Sequence, residues 1–286
     1  MDLLDKTPIT TQDIPKLSAL CVGSFVFFWI TYYVSYAVMS LWKSNKIYQE
    51  LSHEKKADYV SRIVANIHAV ISTTLAFMII FCTCDKGISF IVSDECLMHP
   101  SKFHSYVMVL SCGYLIYDTL VCFFLIKDKS GIMLQTYIHH ILGLIGGFGS
   151  VFAGYCNTPI SSSSLITEIS TPFVNYRQII LTQKKADSPW YTINSLLFAG
   201  SFFVFRILFY PITIWRLYIG VNLLRTPEFA HVESWKLTIT YILATLYVSM
   251  YFLQIFWFKK ILALVTRAVS RKPTGTARPP KDRKNE

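Results

Sequence analysis

Residues 17–42 read LSALCVGSFVFFWITYYVSYAVMSLW, a run without one charged side chain. About 20 apolar residues are needed to cross a hydrocarbon core about 30 Å thick, because each helical residue rises 1.5 Å. The run is long enough to span and too long for the apolar part of a cleavable signal peptide. Residues 1–16 before it are polar and acidic, without the basic start such a peptide needs. It predicts a helix that stays in the membrane.

Six further stretches pass the same test. Residues 63–82 carry only His68, 103–126 carry Asp118, and 131–155 carry the adjacent His139 and His140. Residues 160–182 are the least apolar, with Glu168 and Arg177. Residues 190–219 carry Arg206 and Pro211, and 237–258 carry no charge. The connections are short, so successive helices must run antiparallel and pack as one bundle. The expected fold is all-α, a multi-pass transmembrane bundle of about seven spanning helices. A hydrophobic content of 53%, a charged content of 15% and a mean hydropathy of +0.42 agree with that reading and exclude an ordinary soluble domain. Aromatics at 15% fit Trp and Tyr gathering where helices pass the lipid headgroups.

A net charge of +10 in another chain would point to nucleic acid, but no nucleic-acid motif accompanies it here. The basic residues instead segregate as membrane orientation demands. Lys43, Lys46, Lys55, Lys56, Arg62, Lys127, Lys129, Lys184, Lys185 and the basic tail fall on one side. The smaller set of Lys6, Lys16, Lys86, Lys102, Arg216, Arg225 and Lys236 falls on the other. Basic loops stay in the cytosol, so the N-terminus is expected to be lumenal or extracellular and the C-terminus cytosolic. Most of the seven Cys lie in apolar stretches and imply no disulfide framework. Cys84 and Cys96 flank one polar loop and can pair if that loop is lumenal.

An ionisable side chain at mid-bilayer costs at least about 2.5–3.5 kcal/mol on insertion scales, so such residues face the bundle interior and find partners. At 1.5 Å per residue from the cytosolic ends, His68 and Arg177 lie roughly 8 Å deep, and Asp118, His139 and His140 roughly 12–14 Å. They are expected to share the cytosolic third, with Glu168 and Arg206 deeper and able to pair. Imidazole suits proton transfer near neutrality, and a neighbouring carboxylate orients it and holds its tautomer. Asp118 with His139 or His140 is therefore the catalytic candidate. Adjacent residues project about 100° apart on a helix, so only one of the two His can face a given point. The same residues can also serve only to tie helices together. A zinc site needs three or four converging ligands, which this spacing does not provide, and neither metal nor cofactor is expected. Pro172 bends the helix carrying Glu168; that bend either lines a cavity or is satisfied by Thr171 and neighbouring helices. Gly143, Gly146, Gly147 and Gly149 suggest close helix packing, since they lie in an apolar span.

Several motifs in order resemble the TLC-domain family, the membrane fold shared by ceramide synthases and the translocating-chain-associating membrane protein. They are Lys56-Ala-Asp-Tyr-Val-Ser-Arg62 leading to His68, Gly113-Tyr-Leu-Ile-Tyr-Asp118, His139-His140, and Leu165-Ile-Thr-Glu168-Ile-Ser-Thr-Pro-Phe-Val-Asn175-Tyr-Arg177. The resemblance implies a domain over residues 52–260, preceded by a segment, 1–51, with one extra span. A basic tail follows over 261–286, whose Pro-rich, charged composition from residue 271 predicts disorder. It further implies endoplasmic reticulum membranes and dealings with lipids. The enzymatic branch pairs adjacent His with two spaced aspartates further along. Here the corresponding residues 167–170 offer Glu168 alone, which weighs against ceramide synthesis.

Three functions follow. The first is a lipid-homeostasis protein that binds or handles membrane lipid in an intramembrane polar cavity lined by His68, Glu168, Asn175, Arg177 and Arg206. The second is an acyltransferase using His139 or His140 as base, with acyl-CoA and sphingolipid precursors as partners. The third, a seven-span receptor or transporter, lacks a ligand domain, an Asn-x-Ser/Thr sequon and an inverted repeat. Basic residues beside the last span favour anionic headgroups at about 1 kcal/mol each. The terminal Arg283-Lys284-Asn-Glu resembles an imperfect dilysine retrieval signal.

Overall fold

The computed structural model describes residues 4–84 and 89–270, which form helices and no strand. The tail from Arg271, the Arg283-Lys284 ending and Lys86 lie outside the described residues. The first crossing, Ile14–Leu41, carries Pro15 in its first turn, where no intrahelical donor is lost. The second is His53–Cys82. The third, Lys102–Val121, continues through a widened turn, Cys122–Ile126, and stops at Lys127 with φ 56°. The fourth, Gly131–Ala153, stops at Gly154, whose φ of 70° a residue with a side chain rarely adopts. The sixth runs from Pro189 through a widened turn, Phe203–Leu208, to Leu223, and the seventh is Ser234–Val269. Serine side chains cap the second, fourth and sixth: Ser52, Ser130 and Ser188 accept from the backbone N–H of Lys55, Met133 and Trp190. Each satisfies a donor that helix geometry leaves orphaned.

Among the described residues, six helices are long and apolar enough to cross a membrane. The fifth crossing departs from the continuous helix expected over residues 160–182. It is built from Asn157–Ser163, a tighter 3₁₀ stretch Ser164–Ser170, and Thr171–Thr182. Pro172 cannot donate back to the preceding turn, and the Glu168 carbonyl is taken by the Thr171 N–H instead. The serine run adds to the departure, since Ser162, Ser163 and Ser164 hydroxyls all bond carbonyls three or four residues back.

This broken segment nonetheless passes from one face of the bundle to the other. At its start, Asn157 donates to Thr240 in the first turns of the seventh helix. Cys156 there packs in one cluster with Cys84, Cys96 and Phe229. At its end, Gln183 donates to Asn45 in the loop between the first and second helices. With it the described residues make seven crossings, and the first and last of these begin and end at opposite faces. The N-terminal segment is held on the first face, where the Lys102 N–H donates to the Asp5 carbonyl and the Lys102 ammonium lies 3.0 Å from Asp13. Cys84 and Cys96 are joined there as a disulfide.

The first helix lies closely on the third. Ser24 Oγ donates to the Leu110 carbonyl at 2.6 Å, and Gly113 faces the backbone of Cys21 with no room for a Cβ. Near the opposite face Phe28 and Tyr32 of the first helix and Tyr117 of the third share a core with Tyr59 of the second and Tyr48 of the connection before it. Val22, Ile30, Val34 and Val38 on the outer side of the first helix are exposed, as are Leu196 and Leu208 on the sixth. Apolar side chains turned outward around a bundle are what lipid would cover.

Candidate functional site

Inside the bundle, a cavity of about 150 Å³ is lined by groups from six crossings. His68 comes from the second, Ser111 from the third and His139 from the fourth. Glu168 comes from the fifth, Tyr210 from the sixth and Gln254 from the seventh. Leu142, Leu165, Leu246 and Met250 supply its apolar walls. Its rim runs between the fourth and seventh helices, where Gly143, Gly146, Leu246 and Met250 are half-buried. Polar groups and apolar walls therefore meet in one space within the bundle.

Arg206 organises one wall. It occupies the widened turn Phe203–Leu208, a helix irregularity frequent at functional sites. Its Nε donates to the Thr167 carbonyl at 3.1 Å and to Ser170 Oγ at 3.0 Å. Nη1 donates to Gln254 at 3.3 Å, and Nη2 lies 3.5 Å from Glu168. The guanidinium face lies over the Phe202 ring, 5.2 Å from its centre. Glu168 accepts a second bond, from Thr171 at 2.7 Å. The irregular backbone of the fifth crossing is what presents Thr167, Glu168 and Ser170 together to this one cation. Pro211 leaves the Ile207 carbonyl without its helical donor, and the Tyr251 hydroxyl supplies one at 3.3 Å.

The two adjacent imidazoles divide as helix geometry requires. His140 is buried against the third helix, with Nε2 3.4 Å from Asp118 Oδ2 and Nδ1 3.2 Å from the Thr119 hydroxyl. His139 lines the cavity, packed edge-on to Trp257, and its buried Nδ1 has no hydrogen-bond partner. Trp257 is itself anchored by donating to Gln135, one turn before His139. His68 stacks on Tyr114 with ring centres 3.6 Å apart, and its Nε2 meets the Ser72 hydroxyl at 2.8 Å.

Three expected cavity residues do not line it: Arg206 stands behind the wall it holds together, and Asn175 and Arg177 lie elsewhere. Asn175 donates to Asn66 at 2.8 Å and to the Arg62 carbonyl, joining the fifth crossing to the second, while Arg62 forms a two-pronged pair with Asp58. Arg177 turns the other way and donates to the Tyr191 hydroxyl at 2.6 Å. Both are interhelical ties; the fifth helix points them away from the face that carries Glu168. Gln254 and Asn66 carry no charge and do not stand out in their apolar spans, yet an amide buried in such a span carries a similar demand for partners. Ser72, Ser170 and Thr119 gave no usable signal, because hydroxyls in helices commonly bond their own backbone. Of the glycines, Gly147 packs as expected: a Cβ there would meet Cys112 Sγ at 2.5 Å. Among the described residues no three His, Cys, Asp or Glu side chains converge as a metal would need.

A sequence model of the TLC domain matches residues 58–263, which include every cavity-lining residue named above. Curated relatives include TLC domain-containing protein 4 C of Dictyostelium discoideum, 29% identical over 214 residues, or 70% of this chain and 74% of the relative. TLC domain-containing protein 4 of Homo sapiens is 29% identical over 199 residues, 67% of this chain and 69% of the relative. Topoisomerase I damage affected protein 4 of Saccharomyces cerevisiae is 26% identical over 261 residues, 88% of this chain and 86% of the relative.

Proposed function

The chain belongs to the TLC-domain family, and from that premise we propose that it acts in membrane lipid homeostasis by binding the polar end of a lipid in the intramembrane cavity. The observation that carries this reading is the pairing of polar groups, His68, His139, Glu168 and Gln254, with a rim of half-buried apolar residues between the fourth and seventh helices. Imidazole, carboxylate and amide together offer donors and acceptors for a headgroup hydroxyl, amide or amine. His139 lines the cavity and its buried Nδ1 has no hydrogen-bond partner within the protein, a state that costs about 1–3 kcal/mol. The membrane is that of the endoplasmic reticulum, with the N-terminus in the lumen, the C-terminus in the cytosol and the tail against anionic headgroups.

A second reading, acyl transfer from acyl-CoA, is favoured by the same nitrogen. In it His139 takes the proton of a substrate amine or hydroxyl as that group attacks the thioester carbonyl. The thiolate of coenzyme A then leaves with a proton, and His140 with Asp118 lies next to the base. Against it stands Glu168, which is engaged by Arg206 and Thr171 rather than free for acid–base work.

The test is lipidomics on cells lacking the protein and re-expressing wild type, His139→Ala, Glu168→Gln or Asp118→Ala at matched levels. On the binding reading, His139→Ala and Glu168→Gln reproduce the profile of the null. Four identical profiles that all differ from the null would defeat the assignment. Accumulation of an acylated product by wild type alone, with its precursor retained in His139→Ala, would select the acyltransferase.

A further inference from the structure

His68 and Ser111 line two spaces at once. On one side is the cavity with His139 and Glu168; on the other is a groove of about 310 Å³ between the first, second and third helices. The groove is walled by Leu20, Gly23, Phe27, Ile71 and Leu75. Phe27 and Ile71 are exposed, so the groove opens on the outer surface of the bundle beside the first and second helices. Its residues on the first helix run from Ala19 to Phe28, roughly 13 Å at 1.5 Å per residue.

The partition is one side chain thick. The His68 ring is held by its stack on Tyr114 and by the contact with Ser72, with Phe28 edge-on behind it. Moving it gives up one hydrogen bond and one stack, while the polar groups ahead and the apolar groove behind stay in place. Resting on the headgroup reading above, we propose that cavity and groove form one lipid-binding passage. The polar end lies among His139, Glu168 and Gln254, and a single acyl chain passes His68 into the groove against the first helix. The ligand class is thereby narrowed to a lipid with a chain long enough to reach past His68, and the groove length sets its chain-length preference. Cavity polarity chooses the headgroup and groove volume chooses the chain.

Gly23 offers a way to fill the groove without disturbing the packing, because a Cβ there meets nothing within 4 Å. Ala19, also on the wall and exposed, is a second position. The full chain is purified in mild detergent, checked for a single species by size exclusion, and the cell lipids it retains are measured by mass spectrometry. Gly23→Phe and Ala19→Phe are expected to deplete the longest-chain species several-fold while total bound lipid stays within about two-fold of wild type. His68→Ala, which thins the partition, is expected to shift the distribution toward longer chains. His139→Ala is expected to strip the lipid. If both groove variants keep the wild-type chain distribution while His139→Ala strips the lipid, the passage is overturned and the headgroup reading survives. Loss of all lipid in the two folded groove variants also overturns it, since the groove would then hold the whole ligand. If His139→Ala leaves the bound lipid unchanged, the headgroup reading itself fails.

Discussion

Asp118 Oδ2 lies 3.4 Å from His140 Nε2, across the contact between the third and fourth helices, with both side chains largely buried. The Thr119 hydroxyl already donates to the Leu115 carbonyl, so its oxygen faces His140 Nδ1 as an acceptor. His140 thus meets oxygen atoms at both nitrogens, one from Asp118 and one from Thr119. Fixing His140 in this way fixes the rotation of the fourth helix, and that rotation turns His139 into the cavity. Neither Asp118 nor His140 lines the cavity, and the pair bears on it through the placement of His139.

The pair should therefore show itself as coupling energy. In a double-mutant cycle of Asp118→Asn and His140→Gln, read by detergent unfolding, the two changes are expected to be non-additive by about 1 kcal/mol, within the range for residues in direct contact. Interhelical hydrogen bonds in membranes average about 0.6 kcal/mol, and the charge adds to that. Strict additivity would mean the pair holds nothing.

Arg206 is expected to tolerate no replacement. Its fork reaches Thr167, Ser170, Gln254 and Glu168 at once, a geometry the single ammonium of lysine cannot reproduce. Arg206→Ala leaves Glu168 buried without its cation, a change that costs about 3–5 kcal/mol in comparable buried pairs. Yield of monodisperse protein after extraction should fall sharply for Arg206→Ala and recover little in Arg206→Lys. Recovery to wild-type yield in the lysine variant would show that charge alone suffices.

Two glycines should respond in opposite ways. At Gly113 an added methyl would meet the Cys21 carbonyl and lie 2.8 Å from Ser24 Cβ, so Gly113→Ala forces the first and third helices apart. Overpacking of this kind costs about 1–3 kcal/mol. Gly23→Ala meets nothing and gains up to about 1 kcal/mol of helix propensity. Thermal midpoints in detergent should fall for the first and hold or rise for the second.

How much of this was legible in the sequence differs with the physical signal. The crossings follow from length and apolar content, and the fifth was the least apolar candidate for a concrete reason. Its serines and Pro172 break the helix and raise its polarity together. The pairing of Glu168 with Arg206 followed from shared depth, since two opposite charges in hydrocarbon must meet. Depth carries no azimuth, however. Asn175 and Arg177 sit at suitable heights but on other faces of the fifth helix, and only its irregular winding decides which residues reach the cavity. Tyr114 and Trp257, which hold His68 and His139, resemble any other aromatic residue of an apolar span.

The disulfide and the basic residues make independent statements about orientation, and they should agree. Cys84 and Cys96 are joined on the face where the N-terminal segment is held, and disulfides persist in the lumen rather than the cytosol. Lys43, Lys127, Lys129, Lys184 and Lys185 gather at the opposite face, which the positive-inside rule assigns to the cytosol. In intact microsomes, an acceptor sequon inserted after Val92 should be glycosylated, whereas one inserted after Lys129 should not. Alkylation with a polymer-linked maleimide in denaturant should modify Cys21, Cys82, Cys112, Cys122 and Cys156 without reductant, and Cys84 and Cys96 as well after reduction. The bond closes a loop with a sequence separation of 12, so chain entropy assigns it about 3 kcal/mol. Cys84→Ser and Cys96→Ser should lower the unfolding midpoint equally, and the double variant no further. Glycosylation at the Lys129 site together with seven reactive thiols before reduction would invert the topology and put the basic loops in the lumen.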